Sequence, residues 1–279
     1  MDRHLLPRSE VVGLDVGLMS TLRTNARVVR ALGARSIRQT FRRPQLMAPI
    51  LVFPTLLLAI QTGGAGGAVN LPGFPPVHSF LQFMLAGAMM QSLMLAGNSG
   101  GIALAVDIEM GFTDRLFAAP IPRYTIVLGR LAGTAALGLF ASLWFLAIGL
   151  VFGATIESGV PGALIAIVLV TSTAMAVGGI GAAIALRTGS ASVVQGLFPL
   201  VLVVLFLSSA FFPNELMIQP AKAIAEYNPL SFVVEGVRGP IVSGVDAAEL
   251  LEAVLAILGI VALGLALSVR ALRHRLRVG

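Results

Sequence analysis

Five stretches of this chain contain no Asp, Glu, Lys or Arg: residues 44–106, 131–156, 158–186, 188–214 and 253–269. Lipid hydrocarbon is the environment that forbids charge most strongly, since an ionised side chain at the bilayer centre costs roughly 2.5 kcal/mol or more. Each stretch is close to or above the roughly 20 residues that a helix needs to cross that layer. Only 11% of the 279 residues are charged, against about 25% in an ordinary soluble domain. Hydrophobic residues make up 57% of the chain, and its mean hydropathy is +0.93. The expected fold class is therefore an all-α membrane protein that crosses the bilayer several times. The absence of cysteine excludes disulfides, thiolate metal sites and cysteine nucleophiles.

The arginines set the topology. Residues 1–43 contain Arg3, Arg8, Arg23, Arg27, Arg30, Arg35, Arg38, Arg42 and Arg43, and the tail contains Arg270, Arg273, Arg275 and Arg277. Basic residues mark the cytoplasmic side of membrane segments. Both termini are thus expected in the cytoplasm, and the number of crossings is even. The Gly- and Pro-rich run 63–76 divides the first uncharged stretch into two helices. Six spans follow, at about 44–62, 78–104, 128–152, 161–186, 192–212 and 250–269. The domain plan is a cytoplasmic segment over 1–43, a transmembrane domain over 44–269 and a basic cytoplasmic tail over 270–279. All but Lys222 and Arg238 of the 19 basic residues then share one face. That placement excludes nucleic acid as the partner, although the isoelectric point is near 11.1.

Three segments do not read as spans. Residues 16–43 are expected to form an amphipathic helix at the membrane interface. Arg23, Arg27, Arg30, Arg38 and Arg42 fall on one face, and Leu18, Leu22, Ala26, Val29, Ile37 and Phe41 on another. The basic face suits lipid phosphates or a protein partner. The loop 105–127 gathers Asp107, Glu109, Asp114, Arg115 and Arg123 between two apolar spans, and Thr113–Arg115 can open a short helix that Pro120 and Pro122 stop. Residues 213–249 form a long external segment. In it Asn228 caps a helix with Pro229 at its first position, Glu235 and Arg238 are spaced to pair, and Gly239–Pro240 is expected to end the helix. This helix and a shorter one before it are expected to dip back into the outer leaflet as re-entrant elements.

The chain lacks a GxxxxGK[ST] phosphate loop, and its sole lysine is Lys222. It has no HExxH motif and no His/Cys cluster, so no metal site and no catalytic residue is expected. No acidic residue falls at mid-depth in a span, which makes coupling to an ion gradient difficult. Gln91 and Asn98 in the second span are polar groups suited to interhelical bonding or to lining a path. Gly97/Gly101, Gly129/Gly133 and Gly149/Gly153 are pairs of small residues at the spacing used where helices approach closely.

These features together resemble the permease subunits of ABC type-2 exporters. The stretch EMGFTDRLFAAPIPR is similar to that family's E-x-G-[TS]-x-[ED]-x-L-x-x-[ST]-P-[VIL]-[SP]-R. Glu109, Gly111, Leu116, Pro120 and Arg123 match, and Asp114 or its neighbour supplies the acidic position. Phe112–Thr113 stands where Thr-Leu or Thr-Phe is usual, and Ala119 replaces Thr or Ser. The stretch from Ala210 to Gly239 is similar to the family's FFP…NPL-[ST]-[YF]-x-[VI]-[ED]-x-[LVI]-R, through Phe212, Pro213, Asn228, Pro229, Leu230, Glu235 and Arg238.

The resemblance implies that separate ATP-binding cassette subunits hold ATP and Mg and dock on the cytoplasmic face. It implies that the loop after the second span is a coupling helix carrying Glu109, Gly111, Asp114, Arg115, Leu116, Pro120 and Arg123. It also implies that the N-terminal helix with Arg23, Arg27, Arg30 and Arg38 is a connecting helix. Two permeases, copies or paralogues, would form a dimer and rock between inward- and outward-open states. The substrate path would follow spans two and five, with Phe83, Gln91, Asn98, Phe198 and Phe206 as liners. With one Trp and two Tyr, the chain is short of polar aromatics for a glycan, which favours a small amphipathic or hydrophobic cargo such as a drug, antibiotic or lipid. A glycan exporter of the same family is the alternative. An ion-coupled carrier or channel and a non-transporting scaffold are the readings from other classes. The expected setting is a bacterial cell membrane.

Overall fold

The computed structural model describes residues 8–42, 44–112 and 122–278, and no strand occurs among them. Ten α-helices carry the described fold: α1 Arg8–Phe41, α2 Pro44–Ala65, α3 Phe80–Glu109, α4 Arg123–Val151, α5 Gly159–Thr188, α6 Ala191–Gly196, α7 Phe198–Phe206, α8 Ala221–Tyr227, α9 Pro229–Val242 and α10 Ala247–Val278. Five segments among the described residues are long and apolar enough to cross a bilayer: Met47–Asn70, Phe80–Glu109, Thr125–Val151, Gly159–Thr188 and Ala247–Ser268.

The sixth expected crossing, 192–212, has a different form. Its apolar residues make two short helices, α6 and α7, which meet at Leu197. Pro199 lies at the start of α7 and has no N–H to return to the carbonyl of Gln195, and Gly196 beside it is a poor helix former. After Phe206 the chain leaves the helix in a series of turns.

α3 runs through the middle of the bundle, packed by α2, α4, α5, α6, α7 and α9, and most of its side chains are buried. α5 lies beside it and also carries α10. The outer helices α2 and α10 turn Leu56, Ile60, Leu251, Leu255 and Leu258 outward, as a lipid-facing surface requires. Lipid tails give apolar helices no hydrophobic reason to associate, so close packing of small residues holds such a bundle together. A Cβ on Gly101 would lie 2.7 Å from the Cα of Gly181, and one on Gly97 would lie 2.7 Å from Val177. This pair is the groove in which α3 meets α5. Gly129 and Gly133 form the matching groove on α4, filled by Leu32 and Ser36 of α1. Gly149 accepts Leu85, whereas Gly153 has φ +86° and shapes the turn after α4.

α1 is longer than the 16–43 expected for it. Its buried line in the described side chains is Gly33 and Ser36, while Ile37 and Phe41 stay exposed. The small residues face α4 because only they let the two backbones approach. α9 also differs from expectation, since it continues through Gly239 and Pro240 to Val242. The carbonyls of Pro240 and Ile241 accept hydrogen bonds from the backbone N–H of Ser158 (3.1 Å) and Glu157 (3.1 Å), so the turn before α5 secures this last turn.

Candidate functional site

Glu109 and Arg238, one from each of the two motifs, lie near opposite ends of α3, which are about 43 Å apart for a helix of its length. At one end α3 finishes at Glu109, and Gly111 follows with φ +67°. A left-handed residue just past the last turn is the usual way to close a helix, and glycine adopts it without a Cβ penalty. The N–H of Gly111 donates to the Ile108 carbonyl at 2.9 Å. The E-x-G spacing is therefore that of a helix terminus. The Oε1 of Glu109 accepts the backbone N–H of Ala191 at 2.7 Å, tying the end of α3 to the first turn of α6.

Arg27, Arg30 and Arg38 lie exposed on α1, and Arg23 lies in the same helix. Arg123 is the first residue of α4. Asp114, Arg115, Leu116 and Pro120 lie outside the described residues. Arg35, Arg38, Gln39 and Arg42 line an open groove on the surface of α1.

A charge cluster whose members the sequence did not bring together lies behind this face. Asp107 is buried in the last turns of α3. Its Oδ2 meets the Nη1 of Arg130 on α4 at 3.0 Å and the Nη1 of Arg35 on α1 at 3.4 Å. The Arg130 guanidinium also donates to Gln39 Oε1 at 3.1 Å, and the Arg130 carbonyl accepts the Ser36 hydroxyl at 3.1 Å. Arg35 in turn lies over the Phe112 ring, 3.8 Å from its centroid. The signal in the sequence was a carboxylate ending a long uncharged run, with arginines in both neighbouring elements.

The opposite end is organised by Arg238. Its Nη1 donates to Glu235 Oε1 at 2.8 Å, and its Nη2 donates to the carbonyls of Ser209 (2.8 Å) and Ala210 (3.1 Å). Its guanidinium covers the Phe83 ring at 4.0 Å. Asn228 caps α9 by accepting from the Leu230 N–H at 3.0 Å, with Pro229 at the first helical position. The same Asn228 side chain donates to the Val204 carbonyl at 2.7 Å. The NPL segment and Arg238 therefore satisfy the backbone that the early end of α7 leaves open. Gln82 joins the same cap, donating to the carbonyls of Thr155 and Ile241, both at 3.1 Å. An open cleft of about 360 Å³ lies over it, lined by Phe83, Asn214, Glu215, Glu235, Arg238 and Glu249 among others.

The residues expected along a path are placed as follows. Phe83 and Gln91 on α3 are buried within the chain, and the Gln91 amide makes no hydrogen bond. Asn98 and Phe198 are half-buried, and Phe206 is exposed and stacked on Phe211 at 4.7 Å. No cluster of three or more His, Cys, Asp or Glu side chains able to hold a metal occurs among the described residues.

A sequence model of the family described as ABC-2 type transporter matches residues 27–242, from within α1 to the end of α9. Among known proteins, the one named transport permease ycf38 of Porphyra purpurea is 29% identical over 216 residues, covering 75% of this chain and 72% of that protein. Its namesake in Pyropia yezoensis is 27% identical over the same shares. The daunorubicin resistance ABC transporter permease protein DrrB1 of Streptomyces coeruleorubidus is 26% identical over 196 residues, covering 70% of this chain and 68% of that protein.

Proposed function

The chain belongs to the ABC-2 type transporter family, and on that premise we propose that it is the membrane-spanning permease of an exporter driven by separate ATPase subunits. The arrangement at the α1 end of α3 carries this reading. There Arg35 of α1 and Arg130 of α4 both reach Asp107 in the last turns of α3, and Arg35 also covers Phe112. In sequence, the segment that resembles a coupling helix follows α3 and precedes α4. A chain with no phosphate loop needs an engine elsewhere, and a charged sequence between two long helices suits gripping one.

ATP and Mg belong to the partner ATPase. Glu109, Asp114, Arg115 and Arg123 are the coupling residues, and they transmit movement and do no chemistry. A second permease, identical or paralogous, completes the transmembrane unit in the cell membrane, and the pair alternates between inward- and outward-open states. The cargo is a small amphipathic or hydrophobic molecule. The daunorubicin-resistance relative and the scarcity of Trp and Tyr both support that choice over a glycan.

Purification of the tagged chain from its own cells should bring down an ATPase in stoichiometric amount. Inside-out vesicles holding that complex should take up daunorubicin only when ATP is supplied. Charge reversal at Glu109 or Arg115 should leave ATP hydrolysis running while uptake falls. Uptake driven by an ion gradient without ATP would overturn the reading.

A further inference from the structure

We propose that Asp107 is a positioning residue that rivets α1 to the inner ends of α3 and α4, so that the three move as one body when α1 is pushed. The inference rests on the exporter reading for its purpose, but its geometry stands by itself. The Asp107 side chain is 5% exposed and that of Arg130 8%, while Arg35 is 42% exposed. One carboxylate oxygen thus joins a buried guanidinium of α4 to a half-open guanidinium of α1.

Burying a carboxylate and a guanidinium strips both of water, and their attraction offsets that loss only when the geometry is good. A buried ion pair is consequently weak evidence for stability, and its best-attested use is to fix one register between elements. The surroundings agree with a register device. Gly129 and Gly133 of α4 have no room for a Cβ against Leu32 and Ser36, so α1 is seated closely in a groove of α4. Ser36 bonds to the Arg130 backbone, and Gln39 to its side chain, so α1 engages Arg130 from two residues spaced i, i+3 along one face. Arg35 then reaches past Asp107 to cover Phe112, the first residue beyond the Gly111 turn. Force applied to α1 therefore reaches the base of the loop through a side chain, with no flexible backbone between them.

The chain has no cysteine, which permits a clean test. A Cβ on Gly33 would lie 3.2 Å from that of Ala132, so the pair Gly33→Cys and Ala132→Cys is close enough for a disulfide with little adjustment. Two measurements follow on the full chain in membranes. The rate of disulfide formation needs neither ATPase nor cargo. It should be fast in the parent background and fall severalfold when Asp107→Asn is added; equal rates would overturn the role given to Asp107.

The second measurement uses vesicles with the ATPase bound. The oxidised cross-link should leave ATP turnover and daunorubicin uptake within about twofold of the reduced form, because the joined elements already travel together. Asp107→Asn should lower uptake per ATP by about tenfold, within the range by which single residues alter coupling. Loss of uptake on oxidation, restored by reductant, would show that α1 slides on α4 and would overturn the one-body proposal. Should Asp107→Asn fail to reach the membrane, the cross-link alone decides, since it leaves Asp107 in place. Wild-type vesicles without ATP-dependent uptake would instead strike the exporter reading, and the cross-linking rates would still judge the rivet.

Discussion

Arg238 and Asp107 show how a membrane bundle uses single charges at its two ends. Arg238 has five N–H donors in a planar fork, and three of its contacts are oxygens belonging to other turns of chain. Lysine has no such fork, so the two residues are not equivalent here. Arg238→Ala should leave the buried Ser209 and Ala210 carbonyls without their donor and the half-exposed Glu235 without its partner. We expect a loss of about 1–3 kcal/mol, the cost of leaving buried acceptors unsatisfied, since the half-exposed Glu235 can turn to water. Thermal unfolding in detergent should show it as a large drop, with Arg238→Lys falling between that variant and the parent. A parent-like transition for the alanine variant would remove Arg238 from the account of the cap. The sequence announced the Glu235–Arg238 spacing. It did not announce Ser209 and Ala210, because a backbone carbonyl leaves no mark in the identity of the residue that bears it.

Helices here are joined through notches, and the notches are glycines. α1 seats on α4 at Gly129 and Gly133, and α3 seats on α5 at Gly97 and Gly101. Small residues at a spacing of four were visible along the chain, but so were many other glycines, 31 in all, so spacing alone could not rank them. Gly259 of α10 illustrates the difference, since nothing lies within 4 Å of a Cβ built there. Gly129→Leu should force α1 off its groove at a cost of about 1–3 kcal/mol, the usual range for overpacking. Gly259→Leu should be tolerated. Detergent thermal melts and the yield of folded protein compare the two directly, and equal behaviour would contradict the packing described. α6 and α7 belong at this scale too. A continuous apolar run of the length seen at 188–214 reads as one helix, yet Gly196 and Pro199 interrupt it and Asn228 and Arg238 fasten its end.

For the whole molecule, the positions of the two charged ends are the decisive matter. The α1 end and the Arg238 cap lie at opposite ends of α3, and each has an exposed apolar residue suited to labelling: Met110 at 62% and Ile218 at 81% exposure. Met110→Cys should react with an impermeant maleimide only from the cytoplasmic side, and Ile218→Cys only from outside. Labelling of both from the same side would break the topology on which the proposed coupling depends.

What the sequence settled alone was the solvent. Long runs without charge leave a chain no choice but lipid, and the arginines predict which end of the bundle faces which side, because both signals depend on composition along the chain and not on contacts. Helix termini were legible for the same reason: Gly111 and Asn228–Pro229 act on their own few residues of backbone. The tertiary structure decided the rest. That Asp107 meets Arg35 and Arg130, that only some glycines are seats, and that α7 ends early with its carbonyls satisfied from 24 to 29 residues away are facts about elements meeting in space. A local pattern holds no information about its partner until packing brings the two together.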